Sequence, residues 1–237
     1  MSMVPWLDAG DPFPPVEQAL VEPNGLLAVG GDLSPGRLLD AYRRGIFPWP
    51  DEDLEPMLWW SPDPRLVLVP GELRVSRSLR KRLRAGTFRV SLDEAPGAVL
   101  DACAAPRDAE GGTWITPAVR EAYLALHARG HMHSVEAWMG DRLAGGLYGV
   151  AIGRMFYGES MFARETDASK VAFVWLVRQL ARWGVDLIDC QARTAHLVSL
   201  GAHEMPREAF LAAVALRVNQ PPVPSPWRFE ADLAETF

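Results

Sequence analysis

The sequence predicts a mixed α/β fold, of the α+β kind, in which a small N-terminal domain precedes a larger domain of strands and helices. The chain has 237 residues, which is long enough for one large domain or two small ones. Residues 1–64 are rich in proline, glycine and tryptophan, whereas short apolar strands alternate with helical patterns from Leu66 onward. We therefore expect the domains to occupy residues 1–64 and 65–237.

The N-terminal part contains one clear helical pattern. Ser34 is a favourable N-cap residue, Pro35 suits the first turn, and Gly45 suits the end of the helix. The segment that follows carries prolines at positions 48, 50, 56, 62 and 64. Because proline interrupts regular structure, we expect a stiff aromatic connector there, close to the domain boundary.

The second part alternates strands and helices. Thr116 and Pro117 begin a helix that Gly130 ends, and Asp167 begins another that Gly184 ends. Strands are predicted at 66–69, 87–92, 133–139, 143–152, 155–159 and 185–191, and a last helix at 206–214. The order helix, antiparallel strands, helix, strand, helix matches the N-acetyltransferase-like (GNAT) architecture, although fold alone does not fix function.

The composition excludes several classes of protein. Apolar stretches are interrupted within about ten residues, short of the roughly 20 that cross a bilayer, and the N-terminus lacks a signal pattern, so we expect a cytoplasmic protein. Cys103 and Cys190 are far apart and have no metal-ligand spacing. The histidines at 131, 133, 196 and 203 show no such spacing either. No metal and no cofactor are predicted.

One segment is strongly basic in a chain whose net charge is −6. Six cations occur within eleven residues: Arg74, Arg77, Arg80, Lys81, Arg82 and Arg84. Such a cluster is typical of a confined site for a polyanion, and equally of a solvated helix face. A noncatalytic RNA-binding module therefore stays open at this point.

The strand at 185–191 carries two polar residues in an apolar run. Strand side chains alternate between faces, so Asp189 and Gln191 are expected on one face and Cys190 on the other. Buried polar groups need hydrogen-bond partners, which indicates a structural or a chemical role for the pair. Cys190 is interpreted as a small core residue.

Six motifs, read in order, resemble the leucyl/phenylalanyl-tRNA–protein transferases. They are Glu22–Pro35 (EPNGLLAVGGDLSP), Phe47–Trp49 (FPW), Trp59–Arg65 (WWSPDPR), Gly112–Thr116 (GTWIT), Gly158–Phe162 (GESMF) and Asp189–Gln191 (DCQ). The resemblance covers nearly the whole chain. It implies a GNAT-like catalytic domain that takes Leu or Phe, sometimes Met, from aminoacyl-tRNA. The acceptor would be the α-amine of proteins that begin with Arg or Lys, which are thereby marked for degradation, and the enzyme would be a monomer.

The resemblance also implies roles for individual residues. Asp189 and Gln191 would be catalytic, and Glu159, which is expected to follow a strand, would bind the acceptor. Trp49 and Trp114 would enclose the 3′-terminal adenosine of the tRNA, and the basic segment would contact its backbone. The pocket for the donor side chain would consist of Leu147, Met161, Phe173 and Ile188. Phe173 is bulkier than the leucine expected at that position, which bears on the Leu/Phe preference.

A CoA-dependent N-acyltransferase is the second enzyme hypothesis. CoA-dependent relatives place a glycine-rich pyrophosphate loop before a helix, but residues 162–166, before the Asp167 helix, contain no glycine. The tRNA ester is already activated, and about a tenth of an α-amine with a pKa of about 7.7 to 8.0 is neutral near pH 7. Positioning, worth up to about 7 to 11 kcal/mol, is therefore expected to contribute more than base catalysis.

Overall fold

The computed structural model describes residues 4–50, 56–105 and 113–237. Its N-terminal part is a four-stranded sheet with one helix, α1 (Pro35–Arg43), whose N-terminus is capped by the Ser34 hydroxyl as predicted. The strands are β1 (Trp6–Leu7), β2 (Leu26–Gly30), β3 (Phe47–Pro48) and β4 (Leu58–Trp60), in the order β1-β2-β4-β3. The predicted connector is wrong in its described residues, because they include the strands β3 and β4, and β3 is an edge strand that can accommodate Pro48 without loss of a ladder hydrogen bond. Residues 51–55 of the connector lie outside the described ranges.

The larger part is built on a seven-stranded mixed sheet. Its strands are β5 (Arg65–Leu68), β6 (Arg89–Leu92), β7 (Met132–Met139), β8 (Arg142–Ile152), β9 (Met155–Ala163), β10 (Leu187–Gln191) and β11 (His203–Met205). Their order is β11-β5-β10-β9-β8-β7-β6, and β9 and β10 pair in parallel while the other neighbours are antiparallel. The mixed α/β class is confirmed.

Six helices accompany the large sheet in the described part of the chain. They are α2 (Arg77–Arg84), α3 (Pro96–Ala104), α4 (Pro117–Ala128), α5 (Ala168–Arg182), α6 (Ala195–Ser199) and α7 (Arg207–Arg217). The predicted helices correspond to α4, α5 and α7, and Thr116 caps α4 as expected. Helix α5 packs so closely on β8 that a Cβ at Gly145 would lie 2.6 Å from the Cβ of Ala168. The order α4, β7 to β9, α5, β10, α7 is the predicted N-acetyltransferase-like order.

One apolar core joins the two sheets. It contains Leu38 and Trp59 from the N-terminal part together with Val99 and Leu126 from the larger part. The small sheet lies within residues 1–64 and the large sheet within 65–237, but the division into two domains stays a prediction. Within the described ranges, no helix is both long and apolar enough to cross a membrane.

Candidate active site

Two adjacent cavities, which share lining residues, lie where β9 and β10 end. The larger has a volume of about 470 Å³, and its lining includes Trp49, Trp114, Glu159 and Gln191. The smaller has a volume of about 80 Å³ and is mostly apolar. Both are lined by Glu159, Ser160, Met161, Cys190 and Leu197, so these five residues mark the place where the cavities meet.

The strand β10 ends in a bulge that changes the direction of its side chains. Asp189 pairs with Val67 and Gln191 with Leu66, so the register shifts between them, and Gln191 has a left-handed φ of 59°. Asp189 is fully buried, whereas Cys190 and Gln191 both line the larger cavity. The prediction that Asp189 and Gln191 share a face opposite Cys190 is wrong, because strict alternation requires regular pairing.

Asp189 is held in a buried ion pair with Arg65 from the neighbouring strand β5. The Nε and Nη2 atoms of Arg65 donate to the two carboxylate oxygens at 2.8 and 2.7 Å, and both residues are 0% exposed. The backbone N–H of Gln191 donates to Asp189 Oδ1 at 2.8 Å. Asp189 therefore fixes the backbone of the bulge and lines neither cavity. Its catalytic assignment stays a prediction.

Glu159 lies within β9, and not after a strand as predicted, because β9 continues to Ala163. Each of its carboxylate oxygens accepts a hydrogen bond at 2.8 Å, Oε1 from Gln191 Nε2 and Oε2 from the Tyr123 hydroxyl. The hydroxyls of Tyr123 and Tyr42 are 2.5 Å apart. The side chains of α1, α4, β9 and β10 thus form one hydrogen-bonded chain that ends in the cavity.

Burial raises the pKa of Glu159 to about 7, and the nearby charge of Asp189 acts in the same direction. The hydroxyls of Tyr42 and Tyr123 and the guanidinium of Arg65 act against this rise. A carboxyl group with this pKa gains and loses a proton readily near neutral pH. Cys190 differs, because burial raises the pKa of its thiol above the usual value and leaves it protonated.

The four predicted pocket residues are brought together by the fold. Leu147 on β8, Met161 on β9, Phe173 on α5 and Ile188 on β10 all line the smaller cavity. Met161 is partly buried, and the other three are at most 6% exposed. An apolar cavity of this kind suits an aliphatic or aromatic side chain. They are also core residues, so their role in binding a donor stays a prediction.

The two tryptophans, Trp49 and Trp114, also line the larger cavity. Trp49 is 45% exposed and follows β3, and its carbonyl oxygen accepts a hydrogen bond from Trp60 Nε1 at 2.9 Å. Trp114 is partly buried just before α4. Exposed indole rings beside a cavity can stack on a base, whereas buried tryptophans cannot.

The basic residues fall into three groups. Four of them lie on the exposed face of α2 and line one shallow groove: Arg77, Arg80, Lys81 and Arg84. Arg82 is turned away and forms an ion pair with Asp167 at 3.4 Å. Arg74 precedes the helix and lines a different groove. The structure thus presents four neighbouring cations at one surface, where six were predicted.

The N-terminus of α5 is where a CoA-dependent relative would bind pyrophosphate. Here Asp167 precedes the helix with a φ of 67°, and its carboxylate contacts Arg82 and Lys170. Backbone N–H groups bind phosphate best where glycines permit close approach and no anion is present. A carboxylate at this position and the absence of glycine from residues 162–166 both disfavour CoA.

Sequence reasoning missed three residues of the site: Arg65, Tyr42 and Tyr123. Arg65 opens a buried apolar strand, and a charge in such a place requires a partner; Asp189 in another apolar strand is the matching signal. The two tyrosines follow helical apolar spacing, so the pattern assigns them to the core. Their hydroxyl contacts depend on α1 packing against α4, which the sequence pattern does not specify.

Two family models match the chain. One, described as leucyl/phenylalanyl-tRNA protein transferase, matches residues 67–215, and one for the N-terminal domain of that family matches residues 31–63. The chain is 58% identical over 237 residues to the leucyl/phenylalanyl-tRNA–protein transferase of Aromatoleum aromaticum, covering 99% of this chain and 100% of the relative. The chain is also 61% identical over 219 residues to the leucyl/phenylalanyl-tRNA–protein transferase of Thiobacillus denitrificans. That alignment covers 92% of this chain and 96% of the relative.

Among solved structures, the chain is similar to a GCN5-related N-acetyltransferase from Kribbella flavida. The TM-score is 0.34 and the sequence identity 16%, over 73% of this chain and 61% of that one.

Proposed function

This chain belongs to the leucyl/phenylalanyl-tRNA–protein transferase family, and we propose that it transfers Leu, Phe or Met to the α-amine of proteins beginning with Arg or Lys. It is an aminoacyltransferase, and the donor is an aminoacyl-tRNA. We place its action in the cytoplasm, where the added residue marks the acceptor for degradation. One chain supplies every residue of the proposed site, so a monomer suffices.

The observation that carries the proposal is the junction of the two cavities. An aminoacyl-tRNA ends in an amino acid ester-linked to the ribose of an adenosine. In the proposed complex the side chain fills the apolar cavity, and the adenosine lies against Trp49 and Trp114. The ester carbonyl, which joins the amino acid to the adenosine, then lies between the two cavities, beside Glu159 and Gln191. Met161 suits side chains of different shape because its thioether stem is flexible.

The exposed cations of α2 support an RNA donor. Arg77, Arg80, Lys81 and Arg84 present four positive charges along one groove on a chain with a net charge of −6. Phosphate contacts position a nucleic acid and supply much of its affinity without reading its sequence. We assign this groove to the tRNA backbone. Arg82, which is paired with Asp167, and Arg74, outside the groove, contribute long-range attraction.

The proposed chemistry depends chiefly on positioning. The Gln191 amide lies at the cavity wall and is fixed by Glu159 and by the backbone contact to Asp189, so it can orient the ester carbonyl or the amine. Asp189 acts through Gln191, as a positioning residue. Glu159 supplies negative charge that binds the cationic N-terminal residue of the acceptor.

A transfer assay with purified protein tests the proposal. Leucyl-, phenylalanyl- and methionyl-tRNA are each offered to peptides that differ only in an N-terminal Arg, Lys, Asp or Glu, with an N-acetylated Arg peptide as control. We expect extension of the Arg and Lys peptides only, and its loss after RNase treatment. Transfer to the Asp or Glu peptides would reject the acceptor assignment. Transfer from an acyl-CoA instead of tRNA would support the second enzyme hypothesis.

A further inference from the structure

The reacting ester, in the proposed function on which this inference rests, lies where the two cavities meet. Five residues line both cavities there: Glu159, Ser160, Met161, Cys190 and Leu197. The amine that attacks the ester must lose a proton at this place. A group that takes this proton has to reach the amine directly or through one water. The position of the junction therefore limits the candidates.

Asp189 does not meet this requirement. Its carboxylate is 0% exposed, lines neither cavity, and is occupied by the two donors of Arg65 and the N–H of Gln191. Gln191 lines the larger cavity, but a carboxamide does not take up a proton at neutral pH. Cys190 and Ser160 also line the junction, and the Cys190 thiol is kept protonated by burial. Among the five residues of the junction, Glu159 is the one that carries a carboxylate; His196 lines the larger cavity but not the junction.

We propose that Glu159 takes the proton that the acceptor amine loses, and that Tyr123 and Tyr42 are positioning residues that hold its carboxylate. The amine nitrogen forms a bond to the ester carbon, and the bond from that carbon to the ribose oxygen breaks. The proton passes from nitrogen to Glu159 and from Glu159 to the departing ribose oxygen. Atoms and charge balance without a further reactant, and Glu159 returns to its ionised form.

The surroundings of Glu159 fit this role. Its pKa of about 7 lies close to the value of about 7.7 to 8.0 for an α-amine, so the proton moves between groups of similar affinity. The groups facing it come from four elements: Tyr42 on α1, Tyr123 on α4, Arg65 on β5, and Asp189 with Gln191 on β10. Each carboxylate oxygen already has one partner and keeps capacity for one more donor, such as an ammonium group.

The Tyr123 hydroxyl offers a way to change Glu159 without removing it. Because this hydroxyl donates to the carboxylate, it stabilises the ionised form and lowers the Glu159 pKa. Tyr123→Phe should therefore raise that pKa. Tyr157→Phe is the matched control, because Tyr157 is also buried and packs on Tyr42 with ring centroids 5.0 Å apart, but its hydroxyl has no hydrogen-bond partner among the described residues.

The test measures kcat and KM with leucyl-tRNA and an Arg peptide from about pH 5.5 to about pH 9, with the Kd for tRNA as a measure of folding. We expect Glu159→Gln to lower kcat at least about a hundredfold and to leave only the acid limb of the acceptor amine, whose pKa is about 7.7 to 8.0. Tyr123→Phe should move the acid limb to higher pH, and Tyr157→Phe should leave it in place.

Two results would overturn the proposal. The first is a Glu159→Gln enzyme that changes KM alone, which would make Glu159 only a charge that binds the acceptor. The second is a Tyr123→Phe profile that coincides with that of the unsubstituted enzyme. If the unsubstituted enzyme itself transferred nothing from leucyl-tRNA, the proposed function would fail, and this inference with it.

Discussion

The ion pair between Arg65 and Asp189 is the most buried pair of opposite charges in the site. Arg65 also donates to the Gly45 carbonyl at 3.1 Å, and its guanidinium lies over the rings of Phe47 and Phe210 at 4.5 and 4.7 Å. It therefore connects the N-terminal sheet to the strand that carries Gln191. Removing one partner of a buried pair leaves the other charge without compensation.

Asp189→Ala should therefore cost stability as well as activity. We expect a loss of about 3 to 5 kcal/mol in the free energy of unfolding, measured by urea denaturation, because Arg65 would remain buried and unpaired. Gln191→Ala, which removes a half-buried side chain at the same bulge, should cost clearly less while lowering kcat. Equal losses of stability in the two variants would show that the ion pair does not hold the bulge.

Phe173 is the largest of the four side chains proposed to contact the donor side chain, and it is 6% exposed. Phe173→Leu should enlarge the smaller cavity and raise kcat/KM for phenylalanyl-tRNA relative to leucyl-tRNA. One methylene in an apolar pocket changes selectivity by about 10- to 200-fold, so we expect a shift at the lower end of that range. Competition between the two charged tRNAs measures it, and an unchanged ratio would place the donor side chain elsewhere.

The residue types of the site were predictable, but their partners were not. Asp189 and Gln191 were singled out because polar residues in an apolar strand require an explanation, and Glu159 was singled out by the family resemblance. Which hydroxyls reach Glu159 depends on how α1 packs against α4, and that follows from tertiary packing alone. The direction in which the Cys190 side chain points depends on a β-bulge. The alternation of side chains along a strand, from which the prediction was made, cannot indicate a bulge.

At the scale of elements, α2 separates its apolar and its charged residues. Leu79 and Leu83 are buried against the core, so the cations between them are directed to solvent. The sequence identified this cluster as basic without predicting where each charge points. Arg82 lies on the side of the helix that approaches Asp167 and is the exception.

Replacing Arg77, Arg80 and Lys81 together by Ala should weaken tRNA binding and make it less dependent on salt. Loss of three phosphate contacts should reduce the slope of log K against log salt by about 2 to 3. The control is Arg129→Ala, an exposed arginine at the C-terminal end of α4. A slope that stays the same in the triple variant would move the tRNA backbone to another surface.

Longer elements with clear end signals were predicted well, and short ones were not. Helices α1, α4 and α5 have caps or glycine stops that are visible in the sequence. Helix α6 has five residues and β11 has three, too few for a periodic pattern to develop. Strand β3 was concealed by Pro48, which a sheet accepts at its edge, and β4 by the prolines at 56 and 62 on either side of it.

At the scale of the whole molecule, the N-terminal sheet is part of the site. Tyr42 and Trp49 come from the N-terminal part, and Arg65 connects that part to β10. The chain also keeps the carboxyl group of Glu159 in a partly buried position where its ionisation is unfavourable. Such groups reduce stability and are found where chemistry needs them.

The raised pKa of Glu159 predicts a pH dependence of stability. Its pKa is about 7 in the folded protein and 4.5 without the fold, so the folded state binds the proton more tightly. Tighter proton binding by Glu159 in the folded state increases the free energy of unfolding. This increase is complete below about pH 4.5 and is lost as pH rises to about 7. The unfolding free energy of Glu159→Gln minus that of the unsubstituted protein should therefore increase across this window and then level off.

Other titratable groups with shifted pKa values do not account for a change in this difference in unfolding free energy between about pH 4.5 and about pH 7. Asp32 and Asp186 have pKa values lowered below 3.8 by hydrogen bonds to Ser34 and Arg217, so they act at more acidic pH. Burial lowers the pKa of His196, but this acts equally in both proteins and cancels. Urea denaturation at several pH values measures the difference, and a flat difference would show that Glu159 ionises freely.

A crystal structure with a nonhydrolysable amide analogue of leucyl-adenosine tests the central claim most directly. We predict the leucyl side chain in the smaller cavity beside Phe173, the adenine against Trp49 and Trp114, and the amide carbonyl between Glu159 and Gln191. An analogue bound with its carbonyl away from Glu159, or with its side chain outside the smaller cavity, would contradict the assignment of this junction as the place of aminoacyl transfer.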